Sequence, residues 1–549
     1  MTNSRTGNLQ LVCNHGSADV ETIWRSRVKR FNIHKDGRVR IDVELDDMGG
    51  EIQGVLLRSR SSDNPEEIPV TYHINSAENK QLIRITFNVK ELNIKEFFWD
   101  PVIRLTYKGA EREVKLRCHS RKQILGLRIR DPQVRMDDGM SAVFYTTRSG
   151  DIAINYRTAS EYETALLRLK EFLALFAFYA MYPYWKRKKI WLVYEKFCQL
   201  AQDNGYYFFE YCMRNKKNRD NVFYVINKKG KDYSNVEKYG KNVVDFMSFR
   251  HLLYLLAASI YVGSDSKSHL YVWRSRPSLI QDKVRRKKVF FLQHGVTAMK
   301  RVDPLFGKRG SSPMTYFTTT SGNEQQIVTK YFGYKQSEAP ITGFARWDVL
   351  EDKQNKNNPQ VLVMPTWRAW LEETSEQTFL SSEYFLKYSS LIQSKTLGKL
   401  LEDNNIKLVF YIHPKLSEHI RLFTANNPRI ELVEQGSRLL NEIMMESSML
   451  ITDYSSVAWD MLYMNKPVAF YQFDSDRYLS LTGSYIDFET ELTGKICKEE
   501  WEVISEIDAA CSNNWELSKR ASALCEGWYS NKDKNNSKRT FEFLKQKGY

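Results

Sequence analysis

The sequence predicts an α/β protein in which a β-rich N-terminal region precedes two doubly wound parallel sheets. Short apolar runs alternate with helical stretches from residue 190 onwards, and the pattern restarts after residue 340, as tandem parallel sheets require. Residues from about 25 to 157 instead alternate apolar and polar side chains, which is typical of antiparallel strands. The chain has 549 residues, too many for one hydrophobic core, so several domains are expected.

The N-terminal alternation predicts a small antiparallel β-sandwich within residues 1–158. Turn dipeptides such as Lys108-Gly109 and Ser149-Gly150 separate its runs. The predicted strands are residues 39–45, 83–87, 102–107, 114–116 and 152–156. No catalytic constellation occurs among them, so we expect an accessory or acceptor-positioning domain.

Residues 159–189 predict a linker helix with an interfacial character. Leucine and aromatic side chains recur at helical spacing from Leu166 to Tyr179, and Pro183 ends the run. The apolar part spans about a dozen residues, too few to cross a bilayer. The basic segment that follows is Trp185, Lys186, Arg187, Lys188 and Lys189. An aromatic helix beside a basic cluster suits a membrane surface, and a buried linker with a solvated tail is the alternative.

The alternating α/β pattern predicts one Rossmann-type domain at residues 190–340 and a second at 341–549. Two such domains in tandem usually bind a ligand in the cleft between them, at the carboxyl ends of their strands. The predicted strands are residues 190–193, 222–226, 260–263 and 289–292 in the first domain, and 361–364, 407–411, 430–433, 449–451 and 467–471 in the second.

Charge and composition limit the classes of partner that the protein is expected to bind. The formal net charge of +15 fits a nucleic acid, an anionic membrane surface or a polyphosphate-like substrate, and 31 Tyr and 12 Trp suit the first two. The seven Cys are dispersed without a CxxC pair, so we expect a reducing cytosol and no metal site. The N-terminus lacks an apolar signal core, and no apolar run approaches 18 residues, so no transmembrane span is expected.

Candidate functional residues follow four of the predicted strands. A histidine can take a proton from a hydroxyl near pH 7, and Arg or Lys can bind the charge that develops on a diphosphate. The four clusters contain His294, then Thr366 and Arg368, then His413 and Lys415, and finally Asp453, Ser455 and Ser456. Because the carboxyl ends of parallel strands share one edge of a sheet, all four clusters are expected to face the cleft.

The last cluster predicts an anion site. Asp453, Ser455 and Ser456 connect an apolar strand to a helix, and a helix that opens with hydroxyls and free N–H groups can hold phosphate. Simple capping of the helix is the alternative. No GxxxxGK[ST] or GxGxxG motif is present, so neither a P-loop nor NAD binding is indicated, and no cofactor is expected.

Seven segments together resemble a known family. They are Ile190-Trp191-Leu192, Gln202-Asp203-Asn204-Gly205-Tyr206, Gln293-His294-Gly295, Thr342-Gly343-Phe344-Ala345-Arg346-Trp347-Asp348, Pro365-Thr366-Trp367-Arg368, His413-Pro414 and residues 451–457. In order and spacing they are similar to the CDP-glycerol glycerophosphotransferase family, which includes the teichoic acid polymerases and primases of Gram-positive bacteria. The resemblance covers about residues 190–535. It departs after His294-Gly295, where Val296-Thr297-Ala298-Met299-Lys300 replaces the family's Thr-Pro-Leu-Lys.

The resemblance implies a GT-B-like pair of domains that moves a polyol phosphate from CDP-glycerol or CDP-ribitol to a lipid-linked hydroxyl, with release of CMP. It implies that His294 is the general base and that His413 contacts the donor diphosphate. The other implied donor contacts are Arg368, Thr366, Asp453, Ser455, Ser456 and Lys415. A peripheral location on the cytoplasmic face of the membrane follows, in teichoic acid or related polymer synthesis.

Two alternatives belong to other classes. One is a GT-B glycosyltransferase that uses a UDP- or GDP-sugar. The other is a non-catalytic membrane or nucleic-acid binding protein, suggested by the positive charge. We expect no nucleic-acid partner, because the charge is spread along the chain and strand-end histidines would then have no purpose.

Overall fold

The computed structural model describes residues 2–3, 9–10, 25–46, 49–60, 65–77, 80–130, 132–147, 149–214, 219–272, 279–371, 374, 376–412, 414–434 and 437–549. The chain forms two compact units. Unit 1 comprises Met1–Leu169 and Val272–Lys283, and unit 2 comprises Lys170–Tyr271 and Val284–Tyr549.

Unit 1 contains the antiparallel β-sandwich that the sequence predicts. Strands β3-β4-β8-β7 form one sheet, and β11-β12-β13-β9-β5-β6, with β10 on β9, form the other. Buried side chains from both sheets, such as Ile41 and Ile103, belong to one core. The elements are β1 Thr2–Asn3, β2 Leu9–Gln10, β3 Ser26–Ile33, β4 Arg38–Asp46, β5 Glu51–Ser59, β6 Glu67–Pro69, β7 Thr71–Ala77, β8 Lys80–Asn88, β9 Phe97–Tyr107, β10 Ala110–Lys115, α1 Arg121–Arg130, β11 Gln133–Arg135, β12 Met140–Thr146 and β13 Ile152–Thr158.

The predicted linker helix is two helices, α2 (Ala165–Ala180) and α3 (Tyr182–Lys188). Pro183 lies in the first turn of α3, where its missing N–H leaves no hydrogen bond unmade. Every helix in the described ranges falls short of the length and apolarity that a membrane crossing needs.

The first Rossmann-type lobe of unit 2, called the N-lobe, is built on a parallel sheet of order β16-β15-β14-β17-β18-β19. Its strands are continuous apolar runs because helices cover both faces of such a sheet. The elements are β14 Trp191–Tyr194, α4 Asn204–Arg214, β15 Val222–Ile226, α5 Tyr233–Val236, β16 Val243–Asp245, α6 Phe249–Ala257, β17 Ile260–Gly263, α7 Leu279–Arg285 (its residues up to Lys283 belong to unit 1), β18 Val289–Phe291, α8 Asp303–Phe306, β19 Tyr316–Phe317 and α9 Gly322–Phe332.

The second lobe, called the C-lobe, repeats this topology with a parallel sheet of order β22-β21-β20-β23-β24-β25. The elements are β20 Gln360–Val363, α10 Glu376–Leu380, α11 Glu383–Gln393, α12 Lys395–Asp403, β21 Lys407–Tyr411, β22 Ile430–Val433, α13 Leu440–Glu446, β23 Met449–Thr452, α14 Val457–Tyr463, β24 Val468–Tyr471, α15 Ser475–Thr482, α16 Phe488–Glu491, β25 Ile496–Cys497, α17 Glu500–Ser512, α18 Lys519–Glu526 and α19 Asn536–Gln546.

Helix α19 returns from the C-lobe to the N-lobe. Phe541 and Leu544 complete the N-lobe core, and the Phe541 ring lies 5.3 Å from that of Trp191. Both lobes belong to one compact unit, so the predicted boundary between residues 340 and 341 stays a prediction. In each sheet the strand order reverses beside its first strand, which is where ligands bind in doubly wound folds.

Candidate active site

A cavity of about 470 Å³ opens between the two lobes at the carboxyl ends of their strands. The turns after β14, β17 and β18 form the N-lobe wall, and the turns after β20 and β23 form the C-lobe wall. The polar lining residues are Glu195, Lys196, Asp203, Ser264, Asp265, Gln293, His294, Thr297 and Lys300 from the N-lobe and Thr366, Tyr454, Ser455 and Ser456 from the C-lobe. The cleft that the sequence predicts is therefore present.

The turn that carries His294 is held by a buried network below it. Gln293 has a left-handed backbone (φ 61°) and is buried, and its side-chain amide donates to Glu324 at 3.0 Å. The same carboxylate accepts the backbone N–H of Thr297 at 2.7 Å. Burial raises the pKa of Glu324. These bonds fix the turn on both sides of His294.

His294 contacts a carboxylate at each ring nitrogen. Nδ1 lies 2.9 Å from Asp203 Oδ2, and Nε2 lies 3.3 Å from Asp265 Oδ2. The same Asp265 oxygen is 3.0 Å from Nδ1 of His269. The side chain of His294 is 48% exposed, so its ring is open to a ligand in the cleft.

These contacts change the charge of His294. Burial lowers the pKa of the ring, but the hydrogen bonds and charges of Asp203 and Asp265 raise it to about 10. Burial likewise raises the pKa of the Asp265 carboxyl, yet the two histidines hold it well below its usual range. The sequence alone predicts a neutral imidazole near pH 7, whereas the two carboxylates favour the protonated ring.

The turn that carries Asp203 is shaped by a buried carboxylate. Glu195 follows β14 and accepts the backbone N–H groups of Gln202, Asp203 and Tyr206 at 3.1, 3.0 and 2.7 Å. A Cβ on Gly205 would lie 2.9 Å from Cγ of Glu195, so this close approach requires glycine. Glu195 thereby fixes the start of α4 and, with it, the partner of His294.

Asp453 joins the two turns of the C-lobe wall. Its Oδ1 accepts the backbone N–H of Thr366 at 2.9 Å and that of Tyr454 at 2.6 Å. Asp453 is 0% exposed, so it supports the wall from beneath. Its predicted direct contact with the donor stays a prediction.

Arg368 also lies beneath the wall. It is 0% exposed, and its guanidinium donates to both oxygens of Asp474 at 2.7 and 3.0 Å and to Asp453 at 2.8 Å. These charges raise the pKa of Arg368, against the effect of burial. Arg368 is therefore buried beneath the wall and paired with both carboxylates, and its predicted contact with the donor stays a prediction.

Hydroxyl groups face the cleft from the C-lobe. Among the described residues, the buried hydroxyls of Thr366 and Ser264 have no hydrogen-bond partner. The Ser455 hydroxyl accepts from the N–H of Val457 at 3.3 Å, whereas Ser456 precedes α14 without a side-chain cap. Capping therefore uses one of these serines and leaves the other available.

The two walls nearly touch at one point. A Cβ on Gly295 would lie 2.1 Å from Oγ of Ser456, so only glycine fits beside His294 in this arrangement. The His294 turn of one lobe and the serine turn of the other are thus immediate neighbours.

The remaining predicted site residues have mixed outcomes. His413 and the side chain of Lys415 lie outside the described residues. Trp185 is 8% exposed and packs on Tyr254. Lys186, Arg187 and Lys189 are exposed and Lys188 is partly exposed. The contact of residues 185–189 with a membrane stays a prediction.

Sequence reasoning missed Asp203 and Asp265 as partners of His294. They lie 91 and 29 residues before it, so no local spacing connects them. Asp265 lies two residues after the apolar run 260–263, and the strand-end signal that identified His294 could also have identified it. Within the described ranges, no group of three or more His, Cys, Asp or Glu is arranged to hold a metal ion.

Comparison with known proteins places this geometry in context. The family model described as CDP-glycerol:poly(glycerophosphate) glycerophosphotransferase matches residues 175–546. The minor teichoic acid biosynthesis protein GgaB of Bacillus subtilis is 27% identical over 377 residues, which are 66% of this chain and 40% of that protein. The ribitol-phosphate polymerase TarK of Staphylococcus aureus is 25% identical over 316 residues, 52% of this chain and 57% of that protein. The chain thus spans about half the length of these relatives.

Solved structures of teichoic acid enzymes resemble the chain in fold. A structure of the wall teichoic acid polymerase TagF superimposes with a TM-score of 0.52 and 18% identity, covering 70% of this chain and 96% of that one. The predicted GT-B-like architecture is confirmed.

Replacement of Arg368 by Met tests the support of the C-lobe wall. We expect the free energy of unfolding to fall by about 3–5 kcal/mol, because two buried carboxylates lose their partner. Urea denaturation of unit 2 measures this. The matched control is Arg421→Met, whose pair with Glu376 is exposed and should change the value by under about 0.5 kcal/mol. Equal stability of Arg368→Met and the unmodified protein would contradict the structural role.

Proposed function

The chain belongs to the CDP-glycerol:poly(glycerophosphate) glycerophosphotransferase family, and from this membership and the cleft geometry we propose that it transfers a polyol phosphate from a CDP-polyol to a hydroxyl of a lipid-linked acceptor. The observation that carries the proposal is the pairing across the cleft. His294 and its carboxylates face the hydroxyls of Thr366, Ser455 and Ser456. One wall therefore offers acid–base chemistry, and the other offers donors for phosphate oxygens.

His294 is the proposed general base. The ring first loses its Nε2 proton to water. The acceptor hydroxyl then takes the place of Asp265 at Nε2, the longer of the two ring contacts, and gives its own proton to that nitrogen. Asp203 keeps Nδ1 protonated, so Nε2 is the nitrogen that accepts. The deprotonated oxygen attacks the β-phosphorus, its bond to the bridging oxygen breaks, and CMP leaves.

Ser455, Ser456 and Thr366 are the proposed contacts of the donor diphosphate. Hydroxyl donors fixed in a desolvated cleft stabilise the charge that moves onto the leaving CMP. Arg368 and Asp453 act from below by holding the turns that carry these hydroxyls. His413 and Lys415 are proposed to complete the donor site, on the family resemblance alone.

We propose that helices α2 and α3 place the enzyme on the cytoplasmic face of the membrane, where a lipid-linked acceptor is found. Phe172, Leu173, Phe176 and Tyr179 of α2 are 49%, 49%, 73% and 53% exposed. The basic residues of the 186–189 segment follow directly. Exposed aromatic side chains beside a basic cluster match the polar boundary of an anionic bilayer.

Release of CMP tests the proposed reaction. Purified protein is incubated with a lipid-linked acceptor and CDP-glycerol, CDP-ribitol or a UDP-sugar, and CMP formation is expected with at least one CDP-polyol. His294→Gln should lower the rate at least about 100-fold, the range of a lost general base. His119→Gln, in the sandwich, is the control. Full activity of His294→Gln would exclude the base assignment, and turnover of the UDP-sugar alone would favour a glycosyltransferase.

The pH dependence of kcat/KM tests the effect of Asp203 and Asp265 on His294. His294 accepts a proton only when it is neutral, so kcat/KM should rise with pH through the pKa of the ring. Because Asp203 and Asp265 raise this pKa, the rise should lie well above pH 6.5 in the free enzyme. Asp265→Asn removes one anion and should move the rise to lower pH by about one unit or more. If Asp265→Asn leaves the pH profile of kcat/KM unchanged, the contact between Asp265 and His294 is contradicted.

Vesicle binding tests the membrane surface. Phe176→Ser should weaken binding to phosphatidylglycerol vesicles, measured by cosedimentation, by about tenfold or more, since burying a Phe side chain contributes about 1.5–3 kcal/mol. Leu481→Ser is the matched control, because Leu481 is 64% exposed on α15. Equal binding of the two variants would refute the assignment of this surface.

A further inference from the structure

The segments 202–206 and 342–348, to which the sequence assigns no role, meet at Arg346. The guanidinium is 9% exposed and lies between two carboxylates. Its Nη1 donates to Asp203 at 3.1 Å, and its Nε and Nη2 donate to Asp460 at 2.8 and 2.9 Å. Asp203 is in the N-lobe and Asp460 is in the C-lobe, so one side chain bridges the lobes.

The Asp203 end leads directly to the candidate base. The second oxygen of Asp203 is 2.9 Å from Nδ1 of His294. The backbone N–H of Arg346 also donates to Oδ1 of Asn204 at 3.0 Å, and the amide of Asn204 donates to the carbonyl of Gln293 at 2.8 Å. The segment around Arg346 therefore reaches the His294 turn by two separate routes.

The Asp460 end leads to the opposite wall. Asp460 is 1% exposed on α14, the helix that follows Ser455 and Ser456, and it also accepts from Nε1 of Trp347 at 2.6 Å. A bidentate pair between guanidinium and carboxylate fixes both distance and orientation. Arg346 and Asp460 therefore set where the serine turn stands relative to the His294 turn.

We propose that Arg346 is a positioning residue that registers the proposed base on one lobe with the donor-binding turn on the other, through Asp203 and Asp460. It touches neither substrate. The inference rests on the proposed function for the roles of the two walls, whereas the bridge between them rests on the contacts of Arg346. The near contact of Gly295 and Ser456 shows how little tolerance this register has.

Kinetics of Arg346→Gln, Asp460→Asn and the double variant test the proposal. A displaced reacting group costs about 100-fold in rate, so kcat for CMP release should fall by about that factor in Arg346→Gln, with KM for the CDP-polyol changed less than about threefold. The double variant should be no slower than Arg346→Gln, because both changes break one bridge. Arg346→Lys keeps the charge but cannot form the bidentate pair with Asp460. Its kcat should therefore lie between those of the unmodified protein and Arg346→Gln.

A second readout needs no turnover. Arg346 places a positive charge beside Asp203, and its loss leaves that carboxylate free to attract the His294 proton more strongly. The titration of His294, followed by NMR with ¹³C-labelled histidine and assigned with His294→Gln, should therefore move to higher pH in Arg346→Gln. A side chain that only stabilised the fold would lower the melting temperature without this shift.

The outcomes separate the two proposals. Arg157→Gln, which breaks a pair with Glu163 in unit 1, is the control for loss of a poorly exposed ion pair and should keep kcat and the titration. If Arg346→Gln does not fold, Arg346→Lys and Asp460→Asn carry the test. Unchanged kcat and unchanged titration in these variants would overturn the role of Arg346 and leave the proposed reaction standing. An unmodified protein that releases no CMP from either CDP-polyol, while the titration shifts, would overturn the reaction and leave the bridge standing.

Discussion

A charge can remain in a protein interior only when an opposite charge is fixed beside it, and this constraint shapes both walls of the cleft. Arg346 is enclosed by Asp203 and Asp460, and Arg368 by Asp453 and Asp474. Each arginine brings together carboxylates that follow different strands. The turns above them therefore have little freedom, although turns at strand ends are ordinarily the mobile part of a doubly wound sheet.

The same constraint explains the charge of His294. Two carboxylates at its ring nitrogens would repel each other if the ring were neutral, and the proton that the ring holds removes that cost. The two carboxylates are not equivalent, because Asp203 is committed to Arg346 whereas Asp265 faces His269. In the proposed mechanism an acceptor that displaces Asp265 lowers the proton affinity of the ring, because it removes one of the two anions beside it.

Much of the fold follows from the sequence, because strands buried on both faces must be continuous apolar runs. The runs at 222–226 and 407–411 match β15 and β21 residue for residue. The short strands β16 and β19, at three and two residues, were missed because so few residues carry no period. The clefts of doubly wound folds lie at strand ends, so the locations of His294, Thr366 and Ser456 were also predictable.

Whether a polar residue is buried or lines the cavity could not be predicted in the same way. Arg368 and Thr366 are two positions apart and follow the same strand, yet the arginine is fully buried and the threonine lines the cavity. Which of them faces a ligand depends on where Asp453 and Asp474 stand, 85 and 106 residues further along. Trp185 shows the same limit, since its burial comes from Tyr254 and not from its basic neighbours.

The positively charged side chains have different roles inside and outside the cleft. Inside the cleft, arginines are neutralised by carboxylates and act as rigid supports, so they add little to the field that a substrate meets. Outside it, Lys186 and Arg187 stand exposed after α2, where their charge is free to act over a Debye length. In the proposed function the net charge of +15 serves attraction to an anionic surface, and the hydroxyls of Thr366, Ser455 and Ser456 contact the diphosphate together with His413 and Lys415. In the proposed reaction neutral donors have a physical advantage, because they bind the phosphate of the departing CMP less tightly than an arginine would.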